Sequence, residues 1–393
     1  MTIYLDNNAT TRPLAEVVAA ANDALERRWH NPSSVHRPGQ EARQGVELAR
    51  QSVARLINAS AKEIVFTSGA TESIGLAIRG VLAALPPKKR TIVTSPLEHE
   101  AVRDLVKALA EQKQAQIKMV PALRRGVIDS AALAGMLDES VGIVSIQWAN
   151  NETGAVQPID EIGRLCRERR IVFHSDATQW VGKMPADVKT ATVDLLSFSA
   201  HKFHGPKGAG ALWVRRGIGL VPQIRGVQEH ERRGGTENVP GIVGMGAAAE
   251  AAMHWLADPV QREAVAALRD RFERGVLDAV PEASINGPVE QGDQPRAARL
   301  WNTTNIAFPK LEAEALLLLL SERGVCASAG AACSSGSLDP SPVLLAMGVP
   351  RDEAHGSLRF SLSRETTPAE IDRAIEIVAA CIGRLRKSAT SVA

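Results

Sequence analysis

Apolar residues recur along the first two thirds of the chain as short runs separated by amphipathic stretches of helical period. The runs predict strands over 63–67, 90–94, 116–120, 141–147, 171–174, 195–199 and 210–214. Between most of them lie stretches of helical length, such as 73–85, 99–110, 130–137 and 159–169. Strands alternating with helices predict a mostly parallel sheet covered on both faces. Before this rhythm come a short strand at Ile3, a polar turn over 6–12, a helix opened by Pro13, a loop over 31–36 and a helix to about Ile57.

A long helical region ends near Val280, and the pattern then changes. Residues 284–309 read as a loop-rich mixture around Ile306. A Leu-rich helix over 312–322, an alternating strand over 358–362 and a terminal helix over 368–385 follow. Acidic residues early and basic ones late in that last helix match its dipole. The predicted organisation is an α/β large domain over 16–260, with a smaller α+β domain made of 1–15 and 261–393.

Ligands of such sheets collect beyond the carboxyl ends of the strands. Thr71, His99, Asn151, Asp176 and Lys202 all follow predicted strands there. A lysine just past a buried strand loses hydration, which favours its neutral, nucleophilic amine, and such an amine condenses with aldehydes. Alternation places Ser197, Ser199 and His201 on one face of the strand before it, where they offer donors to an anion. Lys207 reads as an exposed turn lysine. The turn Ser68-Gly-Ala-Thr-Glu72 either caps the helix after it or receives an anion on its backbone N–H groups. Without a Gly-rich nucleotide pattern, the anion is a single phosphate. Asp176 either caps the next helix or meets a cation such as a protonated pyridine nitrogen. His99 stands at a helix start, able to stack on a ring or shuttle protons. Cys333 lies in a run of small residues over 327–337 that reads as a mobile surface loop with a usable thiol. Cys166, Cys326 and Cys381 read as buried and structural.

Bulk composition narrows the choice. At 45% hydrophobic and 23% charged residues with a net charge of +2, nothing points to nucleic acid or an anionic membrane as partner. The longest apolar run, 315–320, is far too short to cross a bilayer. Four scattered cysteines without framework spacing suit a reducing cytoplasm, and the N-terminus lacks a signal-peptide pattern. No compact zinc spacing occurs, so catalysis needs no metal.

Several stretches together resemble the cysteine desulfurases, in the branch that contains the nitrogen-fixation and housekeeping iron–sulfur enzymes. They are Tyr4-Leu-Asp-Asn-Asn-Ala-Thr-Thr11, Asn31-Pro-Ser-Ser34, Phe66-Thr-Ser-Gly-Ala-Thr-Glu-Ser73, Glu98-His99, Asn150-Asn-Glu-Thr-Gly154, Asp176-Ala-Thr-Gln179, Ser199-Ala-His-Lys202, Gly235-Thr-Glu-Asn238, Cys333-Ser-Ser-Gly-Ser337 and Arg359-Phe-Ser-Leu-Ser-Arg364. The resemblance implies the aspartate-aminotransferase-like fold of pyridoxal-phosphate transferases, a homodimer, and a sulfur-acceptor protein such as an iron–sulfur scaffold. It implies that Lys202 holds pyridoxal 5'-phosphate and moves the substrate proton, that Asp176 pairs with the pyridine nitrogen, and that His99 stacks on the ring. Gln179 and Asn151 would contact the ring hydroxyl or the substrate. Ala70, Thr71, Ser199, Ala200 and His201 would hold the phosphate, with Thr236 reaching into the neighbouring subunit. Arg359 would bind the L-cysteine carboxylate. Cys333 would take the sulfur as a persulfide, meeting an iron–sulfur cluster only transiently. Two departures stand out. Before Cys333 the run Ala327-Ser-Ala-Gly-Ala-Ala has few hydroxyls, and the glycines before Thr236 are thinned to Arg225-Gly-Val-Gln-Glu-His230. The competing readings are another pyridoxal-phosphate lyase or aminotransferase, and a sulfur carrier without turnover.

Overall fold

A computed structural model describes residues 2–288, 298–329 and 339–390. Twelve strands are present in this part of the chain. They are β1 (Ile3–Tyr4), β2 (Ile64–Thr67), β3 (Thr91–Thr94), β4 (Gln116–Met119), β5 (Val141–Ser145), β6 (Val172–Asp176), β7 (Leu195–Ser199), β8 (Gly210–Val214), β9 (Ser284–Ile285), β10 (Thr303–Ala307), β11 (Val325–Cys326) and β12 (Ser357–Ser361).

The main sheet runs β2-β8-β7-β6-β5-β3-β4, and only β8 is antiparallel to its neighbours. Alternation along each strand sends side chains to opposite faces. Ile64 and Phe66 pack with the helices Arg37–Leu56 and Val239–Leu256 on one side, and Val65 packs with Ala70–Ala84 on the other. The central strands β5, β7 and β8 are buried throughout, as a sheet covered on both faces requires.

A separate apolar core joins Ile3 and Leu5 to Phe272, Ile306, Phe308, Leu316, Phe360 and Val378. It covers a second sheet of order β12-β10-β9, and β1 pairs in parallel with β11. The span 284–309, expected as a loop-rich mixture around Ile306, therefore contains two strands, β9 and β10. β10 escapes an apolarity pattern because Thr303, Thr304 and Asn305 are polar yet fully buried in the centre of a sheet.

Cys166 and Cys381 are buried as expected, whereas Cys326 is only partly covered. Glu229, His230 and Glu231 follow one another with φ of 49°, 58° and 64°, the left-handed region. The buried pair Arg50–Glu229, at 2.6 and 2.8 Å, holds this strained turn to the helix Arg37–Leu56. Glu229 Oε2 also accepts from Phe66 N, which ties the turn to β2.

Candidate active site

A cavity of about 390 Å³ opens at the carboxyl ends of β5, β6 and β7. Each wall comes from a different local device. On one side β2 ends and the helix Ala70–Ala84 begins, presenting Ser68, Gly69, Ala70 and Thr71. This turn lies against β8, and a Cβ on Gly210 would stand 2.5 Å from Gly69 Cα, so only glycine permits the approach. Glu72 braces the turn by accepting from Ser68 N at 2.8 Å while paired with Arg233. Ser199 and His201 line the same wall. The result is a helix N-terminus with hydroxyl and imidazole groups around it, a cradle for one phosphate.

Asp176 closes β6. Its Oδ1 accepts from the Thr178 N–H and hydroxyl. His99 caps the helix Glu100–Glu111, its Nδ1 accepting from Ala101 N at 3.1 Å, so the ring proton belongs on Nε2. Burial lowers the proton affinity of His99 and the Lys202 charge adds to this, while Asp176 opposes it. Lys202 leaves a short 3-10 turn after β7, and its Nζ donates to Asn8 O and Ala9 O, each at 2.7 Å. Arg359 enters from β12. It is buried, with Nη2 on Asp6 Oδ1 at 2.7 Å and Nη1 on Asn151 O at 3.2 Å.

Residues 3–374 match the class-V aminotransferase family. Cysteine desulfurase 1 of Trichormus variabilis is 48% identical over 385 residues, covering 98% of this chain and 94% of that protein. Cysteine desulfurase NifS of Azotobacter vinelandii is 45% identical over 386 residues, covering 98% and 93%. The chain belongs to the cysteine desulfurases of the class-V aminotransferase family. Its fold agrees. A solved NifS-like protein superposes with a TM-score of 0.89 at 37% identity, covering 98% of this chain and all of that one. A structure of SspA in complex with cysteine superposes at 0.78 with 32% identity, covering 93% and 100%. The fold is thus the pyridoxal-phosphate-dependent transferase fold, and enzymes of this family use that cofactor.

The cavity gathers Ala70, Thr71, His99, Asn151, Asp176, Gln179, Ser199, His201, Lys202 and Arg359. Ala200 lies fully buried beneath the turn and does not line the cavity. Thr236 is exposed and away from the cavity of its own chain. Cys333 lies outside the described residues. Ser197 does not reach the cavity. Its hydroxyl meets His174 Nε2 at 2.8 Å, one pleat deeper than Ser199 on the same face of β7. Lys207 is exposed as expected yet lines the mouth.

Three residues carry more of this site than the sequence reading assigned. Asn8 is 1% exposed and uses every polar atom it has. Its N donates to Ser361 Oγ, its O accepts from Lys202 and Gln179, its Oδ1 accepts from Lys183 and Asn302, and its Nδ2 donates to Asn151 O and Thr303 Oγ1. Glu98 is fully buried at the cavity edge. Burial pushes its carboxyl well above the ordinary range and the Asp176 charge adds to this, although Oε1 accepts from Gln147 N. Its Oε2 has no hydrogen-bond partner among the described residues. Lys183 is the third. Its spacing of four from Gln179 was the one available signal, since i and i+4 meet on a turn. Among the described residues no cluster of His, Cys, Asp and Glu could hold a metal ion, and no helix is long and apolar enough to cross a membrane.

Proposed function

We propose that this chain removes sulfur from L-cysteine with pyridoxal 5'-phosphate, releasing L-alanine and keeping the sulfur as a persulfide on Cys333 for an acceptor of the iron–sulfur assembly type, nitrogenase maturation included. The observation that carries the reading is one cavity in which Lys202, Asp176 and His99 converge with the buried Arg359.

The donor set suits the cofactor. The Gly69–Thr71 backbone with Ser199 and His201 would take the phosphate, helped by Thr236 from a second copy. Asp176 would meet the ring nitrogen, Gln179 the ring hydroxyl, and Lys202 the aldehyde carbon. Burial and the Lys202 and Lys207 charges push the His201 imidazole down to about 3, so it meets a phosphate as a neutral donor. When bound, the cofactor supplies an electron sink for the pair released at the substrate α-carbon.

The side chains do the rest. Arg359 binds the carboxylate with a planar fork. Lys202 takes the α-proton, and His99 carries protons near the leaving sulfur. The Cys333 thiolate attacks that sulfur, so an S–S bond forms as the Cβ–S bond breaks. The balance is L-cysteine plus enzyme thiol giving L-alanine plus enzyme persulfide.

Residues 16–260 form the cofactor-binding domain in this reading, and 1–15 with 261–393 the smaller domain; the two apolar cores support most of this division, although Val343, Leu344 and Met347 pack in the first core and Trp255 in the second. The active form is a homodimer in the cytoplasm.

Purified protein should absorb as a pyridoxal-phosphate enzyme and, with a reductant, convert L-cysteine to alanine and sulfide. Cys333→Ala should keep the absorbance and lose the sulfide. Full sulfide release by that variant refutes the thiol role, and keto-acid-dependent amino transfer without sulfide refutes the reaction.

A further inference from the structure

Beside the cavity stands a second buried lysine that the reaction above does not use. Lys183 is 4% exposed. Its Nζ donates to Asn8 Oδ1 at 2.8 Å and to Gln179 Oε1 at 2.5 Å. Burial pushes its amine well below the ordinary lysine range, and the charges of Lys202 and Arg359 push the same way. Two N–H groups suffice for the two contacts, so a neutral amine satisfies both as well as an ammonium does.

An amide side chain turned by half a revolution exchanges donor for acceptor. Lys183 removes that freedom twice. With Oε1 held, the Gln179 nitrogen faces the other way and gives one N–H to Asn8 O at 3.0 Å, leaving the second for the cavity that Gln179 lines. With Oδ1 held by Lys183 and by Asn302, the Asn8 nitrogen faces Asn151 O and Thr303 Oγ1. The geometry points to Lys183 as a positioning residue that locks the Gln179 amide as a donor toward the cavity, and so toward an anionic oxygen on the pyridoxal ring. The inference rests on the pyridoxal-phosphate reading of the cavity.

A double-mutant cycle tests it. Full-length wild type, K183M, Q179A and the double variant are stripped of cofactor and titrated with pyridoxal 5'-phosphate, following absorbance. K183M should weaken binding about tenfold, the scale of one hydrogen bond to a charged acceptor, and should add nothing in the Q179A background. The bound chromophore should titrate at a higher pH in K183M, because a donor to the ring anion is no longer fixed, and K183R should restore both values. Unchanged affinity in K183M, or the same weakening in both backgrounds, overturns the inference. Q179E decides independently of whether K183M folds. Its carboxylate keeps an oxygen for Lys183 but has no N–H, so affinity should fall as in Q179A, and wild-type affinity overturns the inference. A wild-type chain that binds no pyridoxal phosphate overturns the cofactor reading and this inference with it. Wild-type binding with an additive cycle overturns the inference alone.

Discussion

The two walls of the cavity are built in different ways. The wall from the seven-stranded sheet presents residues just past their own strands: Thr71 after β2, Asp176 at the end of β6, Lys202 after β7. Each is placed by a strand, a tight turn and a helix start within a few residues. The opposite wall brings Asn8 and Arg359 through contacts across most of the chain, Asn8 to Thr303 and Arg359 to Asp6. The first wall is local and its chemistry stands on backbone geometry. The second depends on the two cores docking correctly, so damage there should reach the site through misplacement. The two walls should fail differently.

The largest effect belongs to the local wall. Lys202→Ala removes the amine proposed to bind cofactor and move the proton, so alanine release should fall by at least about 10²–10⁴-fold, the range for a lost general base, with the fold intact by circular dichroism. A loss within tenfold would take Lys202 out of the reaction. On the distant wall, Arg359→Lys keeps the charge but loses the planar fork, so KM for L-cysteine should rise by about 10–100-fold through the lost charge-assisted bonds. Because Arg359 also holds Asp6 and Asn151 O, this variant should lower Tm as well. A fall in kcat at unchanged KM would reverse the assignment.

Asn8→Ala probes the docking itself. The side chain makes four hydrogen bonds, to Lys183, Asn302, Asn151 O and Thr303. Losing them should cost about 2–6 kcal/mol of stability, at roughly 0.5–1.5 kcal/mol for each bond. Denaturant unfolding measures it. A change under about 0.5 kcal/mol, the level of an ordinary surface substitution, would show that the small sheet docks without Asn8.

The same division separates what the sequence disclosed from what it hid. Asp176 and Lys202 were legible because a buried strand ending in a charged residue is itself a signal, and the βα rhythm carried the main sheet. Ser197 shares the face of Ser199 but sits one pleat deeper in β7, short of the cavity, and the strand stops at Ser199. His201 therefore turns into the cavity from a 3-10 turn, while Ser197 points to His174. β10 was hidden because its buried polar side chains pair with side chains outside the strand, Thr303 Oγ1 with Asn8 and Asn305 Oδ1 with Asn286. Asn8 could be seen as part of a polar turn, but its role is set by partners up to 353 residues away, which no local period encodes.

The smallest effect is on pH dependence, and it has two opposing sources on the local wall. His174 is fully buried between Ser145 and Ser197, and burial alone pushes its imidazole down to about 3. The unfolded chain protonates this residue near its ordinary pKa of about 6.5, so on acidification the unfolded state gains the proton first. Stability is therefore lost as pH falls below the unfolded value, by about 1–2 kcal/mol between pH 7 and 5 for one such histidine. Burial pushes His201 down to about 3 and His204 to about 4, and both act in the same direction. Glu98 acts the other way. Its folded carboxyl is raised well above the ordinary range, so the folded state holds a proton that the unfolded state has released, and the stability this brings is lost as pH rises through the folded value. Part of the histidine effect on acidification is thereby offset. Glu98→Gln keeps the shape and removes the titration, so its Tm should fall more steeply from pH 7 to 5 than that of the wild type. His174→Gln should fall less steeply. A Glu98→Gln curve parallel to the wild type would mean that Glu98 is ionised in the folded protein, and a parallel His174→Gln curve would mean that folded His174 takes up a proton as readily as the unfolded chain.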